Sequence, residues 1–141
     1  MIPGEGGRTK AEAPEVRKEV RDLGERTREF ALRVIDLCTR LPATLSARTI
    51  GRQMIRSGTS VGAHWREARR SRSDAEFVSK VECGIQELDE TSYWLELLRD
   101  SGSIKPERVA DLLAEASELM SILVTCARKV KQRKGPSRSD R

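Results

Sequence analysis

Ser60, His64 and Glu67 combine the residue types that hydrolases use for nucleophilic catalysis. On a helix, side chains four positions apart are neighbours, so Ser60 and His64 would be able to meet. A helical serine is usually solvated or bonded to its own backbone, and the sequence predicts neither a strained nucleophile turn nor an oxyanion hole around Ser60. We therefore expect this polar face to be an interface or a hydrogen-bond network, and we predict that the protein is not an enzyme.

Glu87 and Glu90, followed by Tyr93 and Trp94, form a second concentration of residues with chemical potential. Paired carboxylates on a helix can hold a metal ion. The Glu-x-x-His motif of di-iron bundles is missing, however, because the single histidine lies elsewhere in the chain. The alternative is that Glu90 pairs with an arginine of the preceding predicted helix, for which Arg56 is the candidate. The sequence favours this ion pair, and we predict no metal and no cofactor.

Arginines recur with helical spacing along one face of a segment between residues 48 and 70. Five of them fall within a sector of about 80° at 100° per residue, which is more regular than a solvated face requires. Together with a basic run near the C-terminus, they would follow a phosphate backbone through charge alone, with weak sequence preference and strong salt dependence. The residues predicted to contact nucleic acid are Arg48, Arg52, Arg66, Arg70, Arg128, Lys129, Lys131, Arg133 and Lys134.

An acidic segment directly follows the basic one and offers a different interpretation. Residues 40–72 carry eight arginines against one glutamate, whereas residues 74–100 carry eight acidic residues against two basic ones. If the two segments form adjacent helices, the acidic helix neutralises the basic one. The chain would then be a structural or protein–protein interaction module that does not bind nucleic acid.

The composition bounds the fold that must position these residues. The chain has 141 residues, of which 37% are hydrophobic, 35% are charged and only 4% are aromatic. This length suits one domain with one core, and the scarcity of aromatic residues argues for helices rather than a β-sandwich. No apolar run reaches the roughly 18 residues of a membrane span, and the three cysteines form no disulfide framework. We expect a soluble, cytoplasmic, helical protein without a membrane partner.

Four stretches of helical periodicity follow one another along the chain. Their apolar residues recur at spacings of three and four. The predicted helices cover residues of about 25–40, 46–70, 74–101 and 106–132. Short connections between long amphipathic helices predict an antiparallel, up-and-down four-helix bundle over residues 23–132. Residues 1–22 are predicted to be a flexible or partly helical extension, and residues 133–141 a disordered basic tail.

The second predicted helix contains three glycines, Gly51, Gly58 and Gly62, which invite a break in its middle. The apolar residues on both sides of Gly58 nevertheless fall within a sector of about 60°, and a break would scramble this phase. We therefore predict one continuous helix. Each glycine costs roughly 1 kcal/mol relative to alanine, so three of them indicate the close approach of another backbone along this side.

Two blocks of the sequence are similar to a known family. Residues 53–68, QMIRSGTSVGAHWREA, resemble the main motif of the four helix bundle protein family, also called 23S rRNA-intervening-sequence proteins. Residues 75–80, AEFVSK, and residues 87–98, ELDETSYWLELL, look like its second conserved block. The family motif generally carries asparagine at position 64; if that amide makes a fixed hydrogen bond, His64 replaces it with a single ring nitrogen or the interface differs. The residues assigned to the family motif and to an interface are Arg56, Ser57, Gly58, Ser60, Gly62, His64, Glu67, Glu90, Tyr93 and Trp94.

The resemblance implies a bundle that assembles as a homopentamer and has no established biochemical activity. The chain is also similar to the accessory variability determinant of diversity-generating retroelements, a pentameric basic bundle that binds nucleic acid and a reverse transcriptase. The leading hypothesis is therefore a non-enzymatic, oligomeric accessory protein that binds RNA or DNA. Its protein partners would be further copies of itself and a reverse transcriptase or a ribosomal component.

Overall fold

Four α-helices make up residues 14–134, the part of the chain that this computed structural model describes; its side chains are described for residues 23–133. The helices are α1 (Pro14–Thr39), α2 (Leu45–Arg69), α3 (Asp74–Asp100) and α4 (Pro106–Lys134). No strand occurs within residues 14–134, so the expected all-α fold is confirmed. The predictions made for residues 1–13 and 135–141 lie outside the described residues. None of the helices in the described range is long and apolar enough to cross a membrane.

Short polar side chains and a glycine set the boundaries of the central helices. The side chain of Thr44 accepts a hydrogen bond from the Ala47 amide (3.2 Å) at the start of α2. Ser73 accepts one from the Glu76 amide (3.0 Å) at the start of α3, and the Glu76 carboxylate accepts one from the Arg72 amide (3.1 Å). Gly102 follows α3 with a φ of +80°, a left-handed conformation that favours glycine and ends the helix.

Both outer helices are longer than the sequence predicted. Helix α1 begins at Pro14 rather than near residue 25, because Gly24 weakens helical propensity without ending the helix. Gly24 is exposed, and a β-carbon added to it would meet nothing within 4 Å. Helix α4 continues to Lys134, so Arg133 and Lys134 belong to a helix rather than to a disordered tail.

Helix α2 runs without a break, as its apolar phase predicted, and its glycines lie against α1 of the same chain. A β-carbon on Gly51 would lie 2.9 Å from Cδ1 of Leu41. On Gly58 it would lie 3.0 Å from Cγ1 of Val34, and on Gly62 it would lie 3.1 Å from Oγ1 of Thr27. The predicted close approach is therefore to α1, and mostly to its side chains rather than its backbone. Gly58 is buried, so the close approach at this position is between two helices of one chain.

The helices contact one another in a ring. Contacts join α1 to α2, α2 to α3, α3 to α4 and α1 to α4, and no diagonal pair of these four helices is in contact. Residue numbers rise along α1 as they fall along the facing side of α2. The apolar faces meet in one core, where each buried aliphatic or aromatic side chain contributes about 1.5–3 kcal/mol. The largest fully buried side chains are Leu23, Phe30, Val34, Met54, Val61, Val81, Leu88, Leu95, Leu98, Val109, Leu119 and Leu123.

Candidate interaction surfaces

Helices α2 and α3 are joined along one edge by alternating charges, which we call the polar seam. Acidic and basic side chains of the two helices follow one another along this edge, so most charges of the seam have an opposite charge within 4 Å. The seam consists of Arg56, His64 and Glu67 on α2 and Lys80, Glu87 and Glu90 on α3.

Arg56 is the centre of one half of the seam. Its Nη2 donates to Oε2 of Glu90, and its Nη1 donates to Oε1 of Glu87 at 3.3 Å. The indole Nε1–H of Trp94 donates to the same Glu90 oxygen at 3.0 Å. The hydrogen bond from Arg56 holds the pKa of Glu90 below its usual value, and the indole bond acts in the same direction. The ion pair between Arg56 and Glu90 that the sequence favoured is thus confirmed.

His64 lies between two carboxylates in the other half of the seam. Its Nδ1 is 3.3 Å from Oε1 of Glu67, and its Nε2 is 3.7 Å from Oε2 of Glu87. Lys80 Nζ approaches the same Glu67 oxygen at 3.2 Å. Lys80 first and His64 second lower the pKa of Glu67. Both ring nitrogens of His64 therefore lie near carboxylates, one on α2 and one on α3.

The serines of α2 are not arranged for nucleophilic catalysis. Residues 58–62 do spell Gly-x-Ser-x-Gly, the letters of a nucleophile elbow, but they lie in the middle of a continuous helix. Ser60 Oγ donates to the Arg56 carbonyl oxygen at 2.7 Å, the backbone bond that was predicted for a helical serine. Ser57 is buried, and its Oγ is 2.7 Å from Oγ1 of Thr91 on α3. Ser57 is therefore an internal contact between α2 and α3.

The carboxylates of α3 that were considered as metal ligands, and the thiol of Cys38, make contacts within the fold. Within the described residues, no group of three or more His, Cys, Asp or Glu side chains could hold a metal ion. Glu87 and Glu90 instead both form an ion pair with Arg56. The thiol of Cys38 is half-buried against α2, and burial raises its pKa to about 11, so it stays protonated near neutral pH. Tyr93 is 53% exposed, and its ring packs against that of Trp94 with 5.2 Å between centroids.

The side of α2 that faces away from the core, next to the polar seam, carries a second surface, the arginine face, which consists of Arg48, Arg52, Arg66 and Arg70. All four are exposed, and none makes an ion pair with any side chain described between residues 23 and 133. At 100° per residue they span about 40°, and at 1.5 Å per residue the two pairs are about 21 Å apart. Ile55 and Ala63 lie in the exposed stretch between the pairs.

The cations of α4 divide into two kinds. Lys131 Nζ is 2.8 Å from Oε2 of Glu82, and Arg133 Nη2 is 3.3 Å from Oδ1 of Asp74, so both pair with α3. Arg128 and Lys129 are exposed and have no such pair among the described side chains. The side chain of Lys134 lies outside the described set. From the sequence, these residues were predicted to act as one basic run. The acidic segment 74–100 nevertheless contains the carboxylates that pair with Lys131 and Arg133.

Two basic groups near the end of α2 were missed by the sequence interpretation. The Arg69 guanidinium lies 5.9 Å from the ring centroid of Trp65, within the range of a cation–π contact. Arg72 is exposed and follows α2 directly. The prediction from the sequence used only the arginines that share one stripe of the helix. Arg69 and Arg72 lie beside that stripe.

Comparison with known proteins bears out the family resemblance. A family model described as 23S rRNA-intervening sequence protein matches residues 21–125. A crystal structure at 1.70 Å of a protein of unknown function from Bacteroides thetaiotaomicron, assigned to the S23 ribosomal protein family, is 31% identical. The similarity covers 77% of this chain and 97% of that one, with a TM-score of 0.73. No curated protein matches the chain. The chain therefore belongs to the 23S rRNA-intervening sequence protein family.

Proposed function

We propose that this chain is a non-enzymatic, oligomeric helical-bundle protein that binds RNA or DNA through the arginine face, as an accessory factor. One observation carries the proposal. The carboxylates of α3 form ion pairs with Arg56, Lys131 and Arg133, whereas the four cations of the arginine face form none with any described side chain. The interaction-module hypothesis expects the acidic helix to neutralise the basic one, and in this structure it does so on one side of α2 only.

The spacing of the arginine face suits a polyanion with repeated charges. Arginines that are already solvated and unpaired lose no ion pair when they approach phosphates, and the release of counterions then drives binding. The two arginine pairs, about 21 Å apart, span roughly six phosphates of one strand at 3.4 Å each. Because no aromatic side chain stands among them to stack on bases, we expect little sequence preference.

A titration by fluorescence anisotropy tests this proposal. Labelled structured RNA and duplex DNA are titrated with the protein at 50 and 200 mM salt. If four arginines each neutralise one phosphate of the duplex, the logarithmic salt slope is about −3.6 and affinity falls roughly 150-fold between these concentrations. Absence of micromolar binding at the lower salt would contradict nucleic-acid binding.

A quadruple variant connects the binding to the arginine face. Arg48, Arg52, Arg66 and Arg70 are changed together to glutamine, and the salt slope is expected to approach zero. The matched control removes the same charge from other exposed or half-exposed positions, through Arg28→Gln, Arg33→Gln, Lys105→Gln and Arg108→Gln. Equal losses of affinity in both variants would mean that only net charge matters, which would reject the arginine face as the binding surface.

The assembly that we propose is a homopentamer of antiparallel, up-and-down four-helix bundles. The opposite order of contacts along α1 and α2 supports the antiparallel arrangement. Large apolar side chains that remain exposed on these two helices, Leu32 at 43%, Ile35 at 39% and Ile55 at 38%, support self-association. Light scattering coupled to gel filtration should give about 79 kDa, five times the chain mass of 15.8 kDa. A mass of one chain would refute the assembly and leave the arginine face to be tested on the monomer.

A protein partner forms the last part of the proposal, and a reverse transcriptase or a ribosomal component is the class implied by the family. Tyr93, half-exposed and held against Trp94, is the kind of rigid aromatic that protein interfaces use. Pull-down with the chain and with its Tyr93→Ala variant from cells that contain the gene tests this. Recovery of such a partner by the unaltered chain and its loss in the variant would support the assignment. Equal recovery by both would reject Tyr93 as the contact.

A further inference from the structure

A cleft of about 420 Å³ is lined by the end of α2, the start of α3 and the C-terminal half of α4. Pockets of this size hold small organic molecules. The cleft lies at one end of α2, and none of the four residues of the arginine face lines it. It is therefore a feature separate from the proposed nucleic-acid surface.

The inner wall of the cleft is apolar and well ordered by packing. Trp65 is 2% exposed, and its ring meets that of Phe77 edge to face, with 6.0 Å between centroids. Ile122 and Val130 of α4 complete this wall. A hydrocarbon or aromatic group placed here would leave water for an apolar surface, which is the main source of affinity for such ligands.

The mouth of the cleft is strongly cationic. Arg69, Arg72, Lys129 and Arg133 line it, whereas Asp74 is the single acidic residue among the lining side chains. Asp74 is already engaged by Arg133 at 3.3 Å. The lining thus carries a formal excess of three positive charges beside an apolar wall, so a bound molecule of complementary chemistry is apolar at one end and anionic at the other.

Trp65 also has an incomplete hydrogen-bond complement. Its indole Nε1 is buried and has no acceptor among the described residues, the only such buried side-chain polar atom found in that set. Buried donors are nearly always paired, so this unpaired N–H is unusual, and it belongs to a residue that lines the cleft.

We propose that this cleft binds an amphipathic anion, a small molecule with an apolar body and one carboxylate or phosphate head. The apolar body lies against Trp65 and Phe77, and the head meets Arg69, Arg72 and Lys129. This inference goes beyond the proposed function and does not rest on it.

The two tryptophans provide a direct test by NMR of the indole N–H signals. Decanoate and decyl phosphate are titrated below their micelle-forming concentrations, with decanol and decyltrimethylammonium as neutral and cationic controls. Either anion should shift the Trp65 signal saturably. Trp94, about 25 Å further along α3 than Phe77 at 1.5 Å per residue, should stay unchanged. A saturable shift with only one anion identifies the head group. Equal shifts with the controls, or none with either anion, would overturn the proposal.

Two variants separate this site from the nucleic-acid surface. The double substitution Arg72→Gln and Lys129→Gln should weaken decanoate binding at least tenfold, since it removes two of the rim charges. The double substitution Arg48→Gln and Arg52→Gln on the arginine face should leave decanoate affinity unchanged while it lowers affinity for duplex DNA. If decanoate affinity falls equally in both variants, binding is nonspecific attraction to a basic protein, and the cleft is rejected as its site.

Discussion

The two sides of α2 use the same residue type for different purposes. Toward α3, Arg56 is held by Glu87 and Glu90, and the buried hydroxyls of Ser57 and Thr91 meet beneath it. On the side that faces away from the core, the arginines of the arginine face have no partner among the described side chains and face solvent. The comparison teaches that arginine spacing in a sequence does not separate structural from available cations. The positions of the carboxylates on the next helix decide which arginines form ion pairs and which remain available.

The polar seam contributes specificity more than stability. Ion pairs with exposed members are worth little, typically below about 1 kcal/mol, because water screens them. Their geometry nevertheless fixes which residue of α3 faces which residue of α2. If α3 slid by one turn, Glu90 would no longer meet Arg56, and Thr91 would no longer meet Ser57. The seam therefore sets register, and this leaves the arginine face in a defined orientation.

The largest effect is expected from Gly58→Leu, on the side of α2 that packs against α1. A β-carbon at this position already lies 3.0 Å from Val34, which is fully buried, so a leucine overpacks the core. We expect a loss of about 3 kcal/mol in the free energy of unfolding, measured by urea denaturation.

Gly24→Ala is the control for this substitution, because nothing lies near the added carbon. It should stabilise the protein by about 0.5–1 kcal/mol. An unchanged urea midpoint for Gly58→Leu would show that α1 and α2 are not closely packed there.

Thr91→Val tests the buried hydroxyl pair beneath the seam. It removes the partner of Ser57 at 2.7 Å and should cost about 1–2 kcal/mol, since a buried hydroxyl loses its strongest hydrogen bond. The double variant with Ser57→Ala should cost less than the sum of the two single changes, as in a double-mutant cycle for groups in contact. Additive effects would mean that the two hydroxyls do not interact.

Glu90→Gln tests the exposed part of the seam and its pH dependence. The change should cost less than about 1 kcal/mol at pH 7. Because Arg56 lowers the folded-state pKa of Glu90 below its usual 4.5, the stabilisation is present above pH 4.5 and is lost as pH falls through the lowered pKa. The gap between the two proteins in urea unfolding should therefore close on acidification. A gap that is constant from pH 7 to pH 3 would assign the effect to packing.

Arg48→Gln combined with Arg52→Gln should have the smallest effect on folding. Neither residue makes an ion pair with a described side chain, so the urea midpoint should not change. The salt slope of duplex binding should become less steep by about two, one for each lost phosphate contact. A lowered urea midpoint would show that these arginines are structural, as those of the seam are.

Much of the fold was accessible from the sequence because it depends on local rules. The apolar phase of residues 47–68 predicted an unbroken α2 despite its glycines, and the helix predicted over 74–101 agrees with α3. The start of α1 at Pro14 precedes the predicted start near residue 25, although residues 1–22 were predicted to be flexible or partly helical. The sequence also did not predict which helix packs against Gly58. Helical phase shows which side of α2 is closely packed, but not which helix packs there.

The interaction surfaces were predictable only where one pairing rule applied. The pair of Arg56 with Glu90 followed from the opposite charges of neighbouring helices. The same rule did not assign Lys131 to Glu82 or Arg133 to Asp74, because these pairs join residues far apart in the chain. The cleft beside Trp65 was invisible for the same reason, since its wall and its cations come from three different helices.

The continuity of α2 also constrains what the arginine face can hold. A helix rises 1.5 Å per residue and resists stretching, so the distance between its two arginine pairs is fixed at about 20 Å. An oligonucleotide of two or three nucleotides is too short to contact both arginine pairs and binds to one pair alone. A longer strand gains the second contact only where its own curvature brings phosphates to that distance, so any mismatch must be absorbed by the nucleic acid.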